Sequence, residues 1–157
     1  MTNPTAPNAK AIFKQQKVIH YFLLMALIGF TGFSIYTGNK LNLAGIPSNN
    51  FYMYFAPLAA VICYFMSNYT YNLSVKKIDK RLPLQRKLGL YFSACVIRYA
   101  LIEGAAFIAL VAYLSESYLM YISIAVLLII YFYAIRPTEE KLKKALELKR
   151  DEIQQLQ

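Results

Sequence analysis

The chain has 157 residues, of which 58% are hydrophobic and only 16% charged. Soluble domains sit nearer half apolar and a quarter charged, so a disordered chain is excluded for most of the length and a water-soluble globule is not expected. Lys and Arg number 17 against 8 Asp and Glu, a net charge of +9; these charges fall in blocks between long uncharged runs, the pattern of a small polytopic membrane protein, and nucleic acid is not an expected partner.

Lys10, Lys14 and Lys17 precede the first uncharged run, which predicts a transmembrane helix over residues 18–37. The run is longer than the ~7–15 residue core of a signal peptide and no small-residue cleavage site follows, so a retained anchor is expected. Gly29 and Gly32 provide small positions for helix packing. His20 lies within a turn of Lys17 and is expected to be solvated near the interface. Residues 38–50 hold Gly, Asn, Pro and Ser and are read as an irregular loop. A second span follows over 51–75, with Pro57 about two turns in, where a kink is tolerated. Lys76, Lys77, Lys80, Arg81, Arg86 and Lys87 then form a basic loop.

The third span, 88–115, carries the sharpest signal because Arg98 and Glu103 lie inside it. A charge near the centre of a membrane helix costs about 2.5–3.5 kcal/mol, so such residues face the bundle interior or water. Five residues apart, the two side chains point ~140° from each other, which is poor geometry for a pair on one face. Partners on another helix or another subunit are therefore expected: Asn68, tyrosine hydroxyls or, by snorkelling, the inner headgroups for Arg98, with Tyr99 a further member of an intramembrane polar network. Ala100-x-x-x-Gly104 and Ala105-x-x-x-Ala109 are spacings that let helices approach closely.

A fourth span is predicted over 117–135 and stops at Arg136–Pro137. Thr138 can cap a following helix with Glu139 and Glu140 in its first turn. Leu142, Leu146, Ile153 and Leu156 give that tail, 137–157, an apolar seam for the inner leaflet, the basic loop or another chain. The fold class is thus all-α: a domain of four transmembrane helices over 1–136 and a short amphipathic tail. Fifteen of the seventeen basic residues fall on the side of the two termini, so both termini are expected in the cytoplasm. Tyr36, Tyr52, Tyr54, Tyr113, Tyr118 and Tyr121 are expected as an outer aromatic belt, with Tyr21, Tyr69, Tyr71, Tyr91, Tyr131 and Tyr133 as an inner one.

The stretch RLPLQRKLGLYFSACVIRYALIEGAAFIALVAYL, residues 81–114, resembles the loop and carboxylate helix of the c subunits of rotary ATP synthases. That resemblance implies an ion-carrying role for Glu103, with Arg81 and Pro83 in the polar loop. The preceding helix lacks the glycines that pack such subunits into a ring. More of the chain is similar to a group of small four-span proteins of Bacteroidota-type bacteria, through Ile97–Gly104 and the Arg136–Thr138 triplet. That likeness implies the bacterial inner membrane and makes Arg98 and Glu103 defining residues; it supplies no reaction.

One histidine and two isolated thiols, Cys63 and Cys95, provide no haem pair, redox pair or metal set, so no cofactor and no metal is expected. No nucleophile–base set or phosphate loop is visible, so the expected function is non-enzymatic. The first expectation is a self-associating or accessory subunit, partnered by the bilayer and by a second copy or another membrane protein. The alternative is proton or ion translocation through Glu103.

Overall fold

The structure, a computed structural model, describes residues 9–38, 51–148 and 152–153. It is all-helical: α1 (Ala9–Thr37), α2 (Phe51–Lys76), α3 (Leu84–Glu116), α4 (Leu119–Ala134) and α5 (Glu139–Leu146). Lys40 and nearly all of the loop 38–50 lie outside the described residues, as do Lys149, Arg150 and Leu156.

The helix α1 begins nine residues before the predicted span. Its inward positions Phe13, Gln16, His20, Leu24, Leu27 and Thr31 recur every three or four residues, so one buried stripe continues through the lysine-bearing turns. Lys10 and Lys14 occupy the exposed side of those turns. The helix α2 runs unbroken through Pro57. At the end of α3, Ser117 adopts a left-handed conformation, φ 60°, and its N–H donates to Tyr113 O at 2.7 Å. Gly38 closes the end of α1: a Cβ there would lie 2.8 Å from Tyr113 Cε1 and 2.9 Å from its hydroxyl, so a side chain is excluded.

The axis of the bundle is α3, which packs on α1, α2 and α4. Ala105, Ala106, Ala109 and Ala112 are fully buried on it and let the neighbours come close. By contrast α2 buries only Ala56 and Ser67 and lies on the flank. One apolar cluster joins Phe13, Leu84, Leu88, Leu142 and Leu146, bringing the start of α1, the start of α3 and α5 to one end of the bundle. This is the basic end. A second cluster around Ala56, Tyr113 and Tyr121 fills the opposite end.

Three helices, α1, α2 and α3, are each long and apolar enough to cross a membrane. The fourth predicted span is shorter than expected: α4 has 16 residues, about 24 Å against a hydrocarbon core of ~30 Å. It reaches a crossing length only together with α5, from which it is bent by 72° around Pro137. Phe22, Phe65 and Leu127 are each about two-thirds exposed on the outer surface, an arrangement that lipid tolerates and water does not. The chain is a multi-pass helical membrane protein.

Two sequence expectations need correcting. The aromatic belts are incomplete, because Tyr91, Tyr113 and Tyr121 are buried in the bundle. The tail is not one continuous amphipathic helix. Thr138 caps α5 by accepting from Lys141 N–H at 3.3 Å, but Glu147, at φ 46°, ends the helix after eight residues. Residues 152–153 are helical again.

Candidate functional site

Arg98 is half-buried on α3 and holds three helices together. Its Nη2 donates to Asn68 Oδ1 on α2 at 2.7 Å and to the Tyr131 hydroxyl on α4 at 2.7 Å. The Tyr131 hydroxyl in turn donates to Asn68 Oδ1 at 2.8 Å, and Asn68 Nδ2 donates to Tyr64 O at 2.9 Å. The guanidinium also lies over the Tyr71 ring, 4.7 Å from its centroid. A delocalised planar cation suits this place, since it can give several bonds and still cover an aromatic face. Tyr131 is three residues from the end of α4, so Arg98 sits at the level where that helix leaves the bundle, short of the mid-depth that counting along α3 alone gives. Helix α3 continues about 21 Å beyond it toward Leu84.

Glu103 is placed differently. It is half-buried, and among the described residues no hydrogen bond or ion pair engages it. Arg98 and Glu103 therefore do not share one network. Ala100 and Gly104, on either side of it along the helix, are exposed, and a Cβ built on Gly104 meets nothing within 4 Å. The small residues thus divide. Ala105 and Ala109 pack inside the bundle, whereas Ala100, Gly104, Gly29 and Gly32 are exposed and are not packing positions within this chain.

Tyr99 is not a member of the Arg98 network either. One step along the helix turns it ~100° away, and it is buried between α1 and α4. Its ring lies 4.9 Å from His20 and 5.3 Å from Phe132, and its hydroxyl has no partner. His20, expected to be solvated, is fully buried and stacked on Phe132 at 4.9 Å with both ring nitrogens unpartnered. Gln16 Nε2 is a further unpartnered atom one turn away. The sequence signal for this cluster was the helical spacing of Gln16 and His20 with Leu24 and Leu27, which puts both polar residues on the inward stripe of α1.

The basic end is built by α5. Leu142 and Leu146 are buried against the starts of α1 and α3. Lys87, only 3% exposed, pairs with Glu152 at 2.6 Å, and Lys80 pairs with Glu147. The tail thus contacts the basic loop, one of the three settings open to it. Lys141 reaches back to donate to Ala134 O at 2.6 Å and Arg136 O at 3.2 Å. Burial, then the nearby charges of Arg98 and Arg136, hold its ammonium below the usual lysine range. Among the described residues no His, Cys, Asp and Glu group is arranged to hold a metal.

Compared with family models, with curated proteins and with solved structures, the chain matches none.

Proposed function

We propose that this chain is a non-enzymatic subunit of the bacterial inner membrane, with both termini in the cytoplasm, that associates with a second copy or another membrane protein through the Glu103 face of α3. The observation that carries this reading is a carboxyl group within a membrane-spanning helix with no partner among the described residues, next to exposed Ala100 and Gly104. An ionisable group at such depth is costly unless something shelters it. Small flanking residues allow another helix to come close enough to do so. The Arg98 knot fixes α2, α3 and α4 relative to one another and keeps that face in place.

Cross-linking and mass measurement in mild detergent test the proposal. Glu103→Gln, which keeps hydrogen bonding, should retain the assembly better than Glu103→Leu; a monomer in every detergent and in vesicles, without companions, rejects it. The same unpaired carboxyl favours a second reading, proton or ion translocation through Glu103. In that case reconstituted vesicles carry a flux that Glu103→Gln abolishes, although the assembly persists. A wild-type protein with no flux removes the second reading and leaves the first.

A further inference from the structure

Two cavities flank the Arg98–Asn68–Tyr131 bridge between α2 and α4, helices that otherwise touch each other only sparsely. The first, about 580 Å³, opens at the basic end and is lined by Lys76, Arg98, Lys141 and Lys144 together with Tyr71. Among the described residues no carboxylate lines it. The surrounding lysines differ in this respect: Lys80, Lys87 and Lys143 each have a glutamate partner, whereas among the described residues Lys76, Lys141 and Lys144 have none. Arg98 brings its positive charge to this lining while its Nη2 binds Asn68 and Tyr131.

The second cavity, about 350 Å³, is almost wholly apolar and runs toward the opposite end between Pro57, Val61, Phe65, Leu127 and Leu128. Val61, Phe65 and Leu127 are more than half exposed, so this groove opens sideways from the bundle. Tyr131 stands between the two spaces: it lines the apolar groove, and its hydroxyl accepts from Arg98, which lines the basic cavity.

We infer that this seam is a binding site for one anionic phospholipid, with its phosphate among Lys76, Arg98, Lys141 and Lys144 and an acyl chain in the groove between α2 and α4. Charge complementarity selects the occupant. Four converging cations with no acid among the described residues leave a local excess of positive charge, and a phosphate neutralises it through charge-assisted hydrogen bonds. The position agrees, since the cations lie where α4 ends and the groove continues from them along the membrane-spanning part of the helices. A phosphate without a chain would leave the apolar groove unused, and a neutral lipid would leave the cations uncompensated. This inference does not depend on any role for Glu103.

Native mass spectrometry of the full chain, delipidated in mild detergent, tests it with four probes: phosphatidylglycerol, phosphatidylcholine, short-chain phosphatidylglycerol and inorganic phosphate. One phosphatidylglycerol should bind in preference to phosphatidylcholine. Lys141→Gln with Lys144→Gln should weaken it by about tenfold or more, the loss of one or two charge-assisted bonds. Lys14→Gln, at an exposed lysine of the same end, should leave binding unchanged and controls for non-specific attraction. Leu127→Trp should fill the groove and weaken the long-chain lipid more than the short-chain one. Circular dichroism of each variant establishes that it is folded, and a further pair, Lys76→Gln and Arg98→Lys, replaces any that is not. Equal binding of the two headgroups overturns the inference. So does equal loss with Lys14→Gln, or inorganic phosphate binding as tightly as the lipid, which would define a free-anion site.

Discussion

Arg98 illustrates how a single cation becomes tolerable inside a helical membrane protein. Its charge is spread over two hydrogen bonds and an aromatic face, and its acceptors belong to different helices. Tyr131→Phe keeps the ring but removes both the acceptor for Arg98 and the donor to Asn68. Interhelical bonds of this kind are worth about 0.6 kcal/mol on average in membranes and reach ~1.7. We expect a double-mutant cycle of Tyr131→Phe with Asn68→Ala to give a coupling in that range, read from unfolding in mixed micelles; strict additivity would remove the network. Arg98→Lys should cost more than its charge conservation suggests, because a compact ammonium cannot both serve this triangle and cover the Tyr71 ring. Lys141 provides a pH prediction. Its folded pKa lies below the unfolded 10.5, so between those two values the unfolded chain binds more protons and stability rises with pH. Below the folded pKa the charged lysine subtracts a constant amount. In the delipidated protein, Lys141→Gln should flatten the alkaline rise in melting temperature; a variant as steep as wild type contradicts the assignment.

At the level of elements, α5 is where short-range signals and tertiary packing agree in part. Thr138, Glu139 and Glu140 made the start of that helix legible, since a cap followed by acids suits the N-terminal dipole. Its end was not legible: Ile153 and Leu156 continue the apolar spacing, whereas Glu147 turns left-handed and stops the helix after Leu146. The partner of α5 was also open in the sequence, because lysines in a loop attract a lipid surface and an acidic tail alike. Burial decides which contacts hold it. Leu142 is fully buried, so Leu142→Ala should cost about 2–5 kcal/mol and expose the 139–148 segment to limited proteolysis in otherwise intact protein. The two ion pairs beneath should behave differently. Lys80 and Glu147 are 67% and 63% exposed in their side chains, and removing Lys80 should change docking by no more than about 0–1 kcal/mol. Lys87 is enclosed, at 4%, and Lys87→Ala removes the buried cation of its pair with Glu152. The tail should then exchange amide hydrogens far faster than in Lys80→Ala; equal protection in the two variants would refute the distinction.

Across the whole molecule, composition fixes the solvent before any contact is known: long uncharged runs have to meet lipid, and backbone groups in lipid have to close into helices. That much of the fold was legible, as was Arg98 as a residue needing partners on other helices. Rotation about each helix axis was not. The stripe through Gln16 and His20 faces inward because α3 and α4 cover it, and the exposed side of Gly29, Gly32, Ala100 and Gly104 is known only once the neighbours are placed. Sidedness rests on charge. Lysines of α1, the loop before α3 and α5 collect at one end, and the proposed sidedness puts that end in the cytoplasm. Single cysteines in a variant lacking Cys63 and Cys95 test this without altering the basic loop. Gln85→Cys, exposed before the main span of α3, should react with an impermeant maleimide only after lysis. Ser115→Cys, exposed at the far end of α3, should react in intact cells. Glu140→Cys decides whether the short α4 crosses. Protection in intact cells means that its 16 residues, with the extended flank at Tyr118 and the turn at Ile135, traverse a locally thinned bilayer at a modest cost per ångström of mismatch. Labelling in intact cells would instead put α5 on the outer side and separate it from the loop lysines it is packed against, which the buried Lys87–Glu152 pair does not allow.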